Sequence, residues 1–125
     1  MFKTIVYIGA GSCIGGIARY LLGKFVSGII PGVFPWGTFA VNLLGCLAIG
    51  LIYGLLDRGF TLSPEMKAFL TVGLCGGFTT FSTFVHENYI LFNSSQSLTL
   101  TLYAVASFGL GLLCAHAGHF IARTI

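Results

Sequence analysis

Four long apolar stretches, separated by short polar or proline-containing segments, dominate the pattern of the chain. They cover about residues 4–22, 37–56, 67–92 and 98–122. A membrane helix needs about 20 mostly apolar residues. The pattern therefore predicts an all-α integral membrane protein, with four transmembrane helices in a single domain that spans residues 1–125.

The third apolar stretch contains a run that does not suit a regular helix facing lipid. From Gly76 to Phe84 it reads Gly-Gly-Phe-Thr-Thr-Phe-Ser-Thr-Phe. Adjacent glycines weaken a helix, and Thr and Ser hydroxyls can bond the backbone groups that a break would free. Irregular backbone is tolerated at membrane depth only where protein buries it or where it lines a polar path. The run therefore predicts a helix break near residues 76–83 and an ion or solute site beside it.

Composition also indicates a protein that lies within the bilayer. Apolar residues make up 56% of the chain and charged residues 7%, whereas soluble domains have about 25% charged residues. The formal charge of +3 comes from scattered side chains without a basic run, which argues against nucleic acid as a partner. A signal peptide is the competing interpretation of the first stretch, which is long and lacks a small-x-small cleavage site. We expect a multi-pass protein of the inner or plasma membrane.

Four helices place both chain termini on the same side of the membrane. That side carries four Lys or Arg residues and the other side two, an asymmetry too small to fix one orientation. Small residues recur four apart, at Gly11 and Gly15, Gly50 and Gly54, Gly73 and Gly77, and Ser107 and Gly111. This spacing lets helices approach closely, and we interpret it as packing, with some support for association between subunits.

Three polar residues in the apolar stretches require a partner or a function. Asn42 lies inside the second stretch, where its amide either bonds another helix or donates to something in a polar path. Arg19 either reaches the membrane interface beside Tyr20 or attracts anions to a vestibule. Glu87 is a possible functional acid at membrane depth, or a solvated residue near a helix end. His86-Glu87 is not a zinc-protease motif, because position 90 is Ile.

Histidine and cysteine positions give little sign of a metal site made of side chains. His116 and His119 share a helical face but lack further ligands nearby, so we expect them to form packing hydrogen bonds. Cys13, Cys46, Cys75 and Cys114 fall in different stretches without a CxxC motif, which favours reduced thiols.

The residues around the predicted break offer two kinds of ion chemistry. Carbonyls at the end of the first half-helix carry negative partial charge and can coordinate a cation. Phe81 and Phe84 lie three apart, on one helical face, and anions prefer the positively polarised edges of such rings. With the Asn42 amide and nearby hydroxyls, these edges describe a path for a small anion. Plain helix packing is the alternative.

The same residues resemble the signatures of a known family. Gly37 to Gly45 is similar to the GTxxxNxxG segment of the CrcB/Fluc fluoride channels, and Gly76 to Phe84 resembles their GGxTTFSTF motif, with the usual acid at Glu87. Gly15 to Tyr20 resembles their first-helix G-x-x-x-R-[YW] pattern. The resemblance implies passive fluoride efflux and fluoride resistance, with no enzyme activity.

The resemblance also implies an architecture and a set of sites. Two subunits would pair antiparallel as a dual-topology homodimer, with fluoride pores and a structural sodium ion at its centre. Backbone carbonyls of Gly76 and Thr79 from both subunits would hold the sodium. The pore residues implied are Asn42, Phe81, Phe84, Ser82, Thr83, Tyr103 and Ser107, with Arg19 at the vestibule.

Two departures from the family and two alternative functions remain open. Gly111 and Ala115 stand where family members often carry hydroxyls, and the charge count is less balanced than dual topology suggests. A small proton-driven exporter would need a carboxylate on the first helix, which has none. A membrane scaffold would use the glycine spacings but would explain neither Asn42 nor the hydroxyl-rich break.

Overall fold

The computed structural model describes all 125 residues and is entirely helical. The elements are α1 (Phe2–Ile29), α2 (Trp36–Asp57), α3 (Pro64–Ala68), a π-helical segment (Phe69–Cys75), α4 (Gly76–Phe78), α5 (Ser82–Asn93) and α6 (Ser97–Thr124). The elements from α3 to α5 form one interrupted span, Pro64–Asn93, and this span, α1, α2 and α6 are each long and apolar enough to cross a membrane. The predicted all-α fold with four membrane helices is confirmed.

Local sequence explains where the spans begin and end. The third span starts at Pro64, slightly before the predicted start near residue 67: the Ser63 hydroxyl accepts a hydrogen bond from the Met66 N–H at 3.2 Å, and Pro64 occupies the first turn. Helix α1 continues beyond the predicted end at residue 22 and stops at Ile29, just before Pro31, which disfavours helical backbone in the residue preceding it. Arg19 therefore lies well inside α1 and not at its end.

The four spans pack in two pairs of parallel helices: α1 with the interrupted third span, and α2 with α6. Gly54 of α2 lies so close to α6 that an added Cβ would be 2.8 Å from the His119 carbonyl oxygen. Gly73 of the π-helical segment lies against α1, where an added Cβ would be 2.7 Å from the Ile8 carbonyl oxygen. The small residues that we partly attributed to subunit association thus pack helices within one chain, because only glycine allows these backbones to approach so closely.

Polar contacts join α2 to α6 near the side of the membrane that carries the termini. His119 Nε2 lies 2.8 Å from Asp57 Oδ2, and Arg58 donates to the Ala122 carbonyl oxygen at 3.3 Å. His119 is thus a packing residue as predicted, whereas His116 is exposed. These contacts hold the C-terminal ends of α2 and α6 together.

Candidate functional site

The third span breaks between α4 and α5. Thr79 has an extended backbone (φ −85°, ψ 162°), and helix resumes at Ser82. The break therefore covers residues 79–81, a narrower segment than the predicted 76–83. Only the short helix α4 separates the break from the π-helical segment, and π-helical segments occur often at functional sites.

Asn42 satisfies both backbone groups of Thr80 in the break. Its side-chain nitrogen donates to the Thr80 carbonyl oxygen at 3.1 Å, and its side-chain oxygen accepts from the Thr80 N–H at 2.8 Å. The Thr80 hydroxyl in turn accepts from the Thr83 N–H at 3.3 Å, at the start of α5. Asn42 thus bonds another span, and one of its two amide hydrogens remains free to donate.

Arg19 satisfies a carbonyl at the end of the first half-helix. Its Nε donates to the Gly77 carbonyl oxygen at 3.1 Å. The carbonyl end of a helix carries negative partial charge, so the guanidinium also stabilises the half-helix electrostatically. Arg19 is half-buried. It therefore does not simply extend to the membrane surface, which was one of the two interpretations that the sequence left open.

Two carbonyls at the break, those of Gly76 in α4 and of Thr79, keep their lone pairs free of backbone hydrogen bonds. The Thr79 N–H donates to Cys75 and the Thr80 N–H to Asn42, so neither reaches the Gly76 carbonyl. The Thr79 carbonyl is likewise free, because the Thr83 N–H donates to the Thr80 hydroxyl. These are the two carbonyls that the family resemblance assigns to sodium, and unpaired carbonyl oxygens suit a hard cation.

One cavity gathers most of the predicted site residues. This central cavity has a volume of about 530 Å³. Its lining includes Asn42, Gly76, Thr79, Phe81, Phe84 and Ser107. The Ser107 hydroxyl is buried and has no hydrogen-bond partner, so it can bind a small ion or water in the cavity.

Phe81 and Phe84 both line the central cavity, but they differ in how the rest of the subunit holds them. The Phe81 and Phe84 ring centroids are 6.1 Å apart. Phe84 also packs edge-on against Tyr103 at 4.9 Å, whereas the Phe81 side chain is 76% exposed in the single chain. Phe84 is thus held in place by the subunit, and Phe81 projects outward from the break.

A second cavity is basic and lies on the other side of the break. This basic cavity has a volume of about 230 Å³, and it shares Thr80 with the central cavity. Its lining includes Arg19, Lys24, Thr38, Thr80 and Thr83. Two cations beside hydroxyl groups can attract and hydrogen-bond an anion. Lys24 lines the same cavity.

Glu87 belongs to a hydrogen-bonded cluster and is not a solvated helix end. Its carboxylate accepts from the Thr38 hydroxyl at 2.8 Å and from the Tyr103 hydroxyl at 2.7 Å. Tyr103 is fully buried in the aromatic core with Phe39. The cluster ties α2, α5 and α6 together, and it positions Glu87 through two neutral donors.

The structure does not bring every predicted residue into a cavity. Ser82 is exposed at the start of α5, and Tyr103 lies in the core, so neither lines the central or the basic cavity. Thr38 and Thr80, which we did not assign, join the site instead. Two signals could have found them: Thr38 stands one helical turn before Asn42, and Thr80 lies inside the break motif.

Comparison with known proteins identifies the family. Residues 6–119 match the model of the family described as CrcB-like protein, Camphor Resistance (CrcB). The chain belongs to the CrcB family. The family match extends over all four spans and both cavities, so the site described above lies within the part of the chain that carries it.

Several CrcB relatives are similar over nearly their whole length. A protein of Flavobacterium psychrophilum named fluoride-specific ion channel FluC is 43% identical over 98% of this chain and 99% of its own. Proteins with the same name from Nitratidesulfovibrio vulgaris and Bacteroides fragilis are each 44% identical, over 88% and 95% of this chain and 89% and 95% of their own. These relatives carry the name of a channel and not of an enzyme. With four apolar spans, this CrcB-family chain is a multi-pass membrane protein.

Proposed function

We propose that the chain forms a fluoride-selective channel for passive fluoride efflux, and that it has no enzyme activity. The observation that carries the proposal is the broken third span, where Arg19 bonds the Gly77 carbonyl and Asn42 bonds Thr80 beside two cavities. Relatives at 43–44% identity are named fluoride-specific ion channels. A channel function explains why the helix break lies beside two cavities. A scaffold function would not require cavities.

The anion path runs from the basic cavity past Thr80 to the central cavity. Arg19 and Lys24 draw a small anion into the basic cavity, and the hydroxyls of Thr38 and Thr83 offer it hydrogen bonds. In the central cavity the free Asn42 amide hydrogen, the Ser107 hydroxyl and the ring edges of Phe81 and Phe84 replace the water shell. Selectivity for fluoride is what the names of the relatives imply, and the hydrogen-bond donors along the path would replace the water that the ion loses.

Two copies of the chain pair antiparallel around a structural sodium ion. The free carbonyls of Gly76 and Thr79 are two oxygen ligands, and hard cations take about six. A second copy would supply two more, so the site is incomplete in one subunit. The outward-facing Phe81 ring, 76% exposed in one chain, would then be covered by the partner. The Gly76 and Thr79 carbonyls would hold the ion, which in turn would hold the two breaks together.

Fluoride efflux from liposomes tests the proposed function. Liposomes reconstituted with purified protein and loaded with potassium fluoride should release fluoride, measured with a selective electrode after a potassium ionophore is added. A matched set loaded with potassium chloride should release far less anion. Equal release of the two anions would contradict selectivity, and release no faster than from protein-free liposomes would contradict a channel.

Phe81 tests the place of the anion path. Phe81→Ile keeps an apolar side chain but removes the polarised ring edge, so fluoride efflux should fall strongly while the elution volume of the assembled protein stays the same. Phe108→Ile is the matched control, since Phe108 also lines the central cavity but belongs to α6 and not to the broken span. If Phe81→Ile conducts at the original rate, the ring is not part of the path.

Sodium and the antiparallel pair are tested separately from conduction. Dimer dissociation in detergent should require more dilution in sodium than in N-methylglucamine buffer, and dimers that ignore the cation would contradict a structural sodium ion. A tag at the C-terminus should be labelled from both sides of the membrane in one cell population. Labelling from a single side would contradict dual topology.

A further inference from the structure

Two cysteines from different elements line the central cavity, and neither belongs to the proposed anion or sodium chemistry. Cys46 lies on α2 and Cys75 at the end of the π-helical segment. Both are free thiols; Cys46 is half-buried and the Cys75 side chain is 7% exposed. The buried Ser107 hydroxyl without a partner lines the same cavity. The cavity thus combines two soft sulfur ligands with a buried hydroxyl that has no hydrogen-bond partner.

We propose that the central cavity is a binding site for soft, thiophilic metal cations, and that a cation bound at Cys46 or Cys75 closes the anion path. Thiolate sulfur selects soft metals, whereas carbonyl oxygen selects hard ones. The cavity therefore holds two distinct cation chemistries: the Gly76 and Thr79 carbonyls for a hard ion, and the two thiols for a soft one. The claim of closure rests on the proposed channel function, but the claim of metal binding does not.

Methylmercury is a suitable probe, because it is small, membrane-permeant and forms one bond to one thiol. In the reaction the S–H bond of the cysteine breaks and an S–Hg bond forms. The thiol proton passes to water, and mercury loses its hydroxide or water ligand, so nothing is oxidised or reduced. The adduct at Cys46 or Cys75 would occupy the space beside Phe81 and Phe84. An anion could then no longer pass those ring edges.

Cys13 provides the matched control, because Cys114 lies near Cys46 and can influence a metal bound there. Cys13 is exposed on α1, and Cys114 lies on α6; neither lines the central or the basic cavity. Cys13→Ala should therefore conduct fluoride at the original rate, and methylmercury should inhibit it as fully as the original protein. Inhibition that disappears in Cys13→Ala would place the sensitive thiol elsewhere and overturn the proposal.

The experiment combines adduct mapping with efflux on the full-length protein in liposomes. Mass spectrometry of the treated protein should find methylmercury on the peptides that contain Cys46 or Cys75, which requires no substitution. Fluoride efflux should be lost on treatment and return when excess dithiothreitol removes the metal. The double variant C46A/C75A, compared with its own untreated rate, should resist inhibition.

The two readouts separate the metal site from the channel proposal. Protein that carries no adduct on either cavity cysteine would overturn the metal site whatever the efflux. Adducts on Cys46 or Cys75 with undiminished efflux would overturn closure. Adducts on protein that never conducted fluoride, even untreated, would contradict the channel function and leave the thiol site supported.

Discussion

Substitution of Asn42 should loosen the helix break, because this one amide satisfies both backbone groups of Thr80. Asn42→Ala removes hydrogen bonds of 3.1 Å and 2.8 Å. A net hydrogen bond contributes about 0.5–1.5 kcal/mol in proteins, and interhelical hydrogen bonds in membranes average about 0.6 kcal/mol. Two of them therefore contribute about 1–3 kcal/mol to the local stability of the break.

That free energy converts to a measurable change in hydrogen exchange. Since about 1.4 kcal/mol corresponds to a factor of ten, the Thr80 amide of Asn42→Ala should exchange about 5- to 140-fold faster than in the original protein. Nuclear magnetic resonance or mass spectrometry of the peptide around Thr80 can follow the exchange in detergent. Asn93→Ala is the matched control, because Asn93 is an exposed amide at the end of α5 and should leave Thr80 exchange unchanged.

Asn42→Asp separates the two hydrogen bonds. The carboxylate still accepts from the Thr80 N–H but cannot donate to the Thr80 carbonyl. A charged side chain at the centre of a membrane helix also raises the free energy of membrane insertion by about 2.5–3.5 kcal/mol. We expect it to be less stable than Asn42→Ala and to conduct no fluoride. Unchanged Thr80 exchange in both variants would refute the assigned role of Asn42 in the break.

Three further substitutions test other parts of the site and the packing. Arg19→Gln should slow fluoride efflux more at low than at high ionic strength, because salt screens the attraction that the guanidinium exerts; equal slowing at both would contradict an electrostatic role. Tyr103→Phe removes one donor to Glu87 and should lower the thermal unfolding midpoint by an amount corresponding to about 1 kcal/mol, whereas an unchanged midpoint would contradict the cluster. Gly54→Ala should cost about 1–3 kcal/mol, since its Cβ would lie 2.8 Å from the α6 backbone. Gly9→Ala, with nothing within 4 Å, should not destabilise the protein, and equal losses in the two glycine variants would contradict the close packing of α2 and α6.

Local patterns predicted the spans and the break but not the partners of the break. The run from Gly76 to Phe84 predicted a helix break, because glycine and hydroxyl residues change the backbone conformation only within a few residues of their own positions. The Arg19 bond to Gly77 and the Asn42 bonds to Thr80 cross 58 and 38 residues of chain. No periodicity in the sequence encodes such pairings. The sequence therefore left two interpretations open for Arg19 and two for Asn42.

Glu87 shows the same limit. Its distance from the break along the chain did not distinguish a solvated acid from one that accepts hydrogen bonds within the fold. The distinction depends on Thr38 and Tyr103, which two other helices bring to its carboxylate.

By itself, the sequence determined that this protein lies in a membrane, that it has four helical spans and that the third one breaks. These properties follow from hydrophobicity and backbone preference, which each segment carries locally. The tertiary structure decided which side chains bond the backbone groups at the break and which carbonyls remain without a hydrogen bond. It also decided which polar side chains line each of the two cavities. Those outcomes depend on glycine contacts such as Gly54 against α6 and Gly73 against α1, which set the distances between helices.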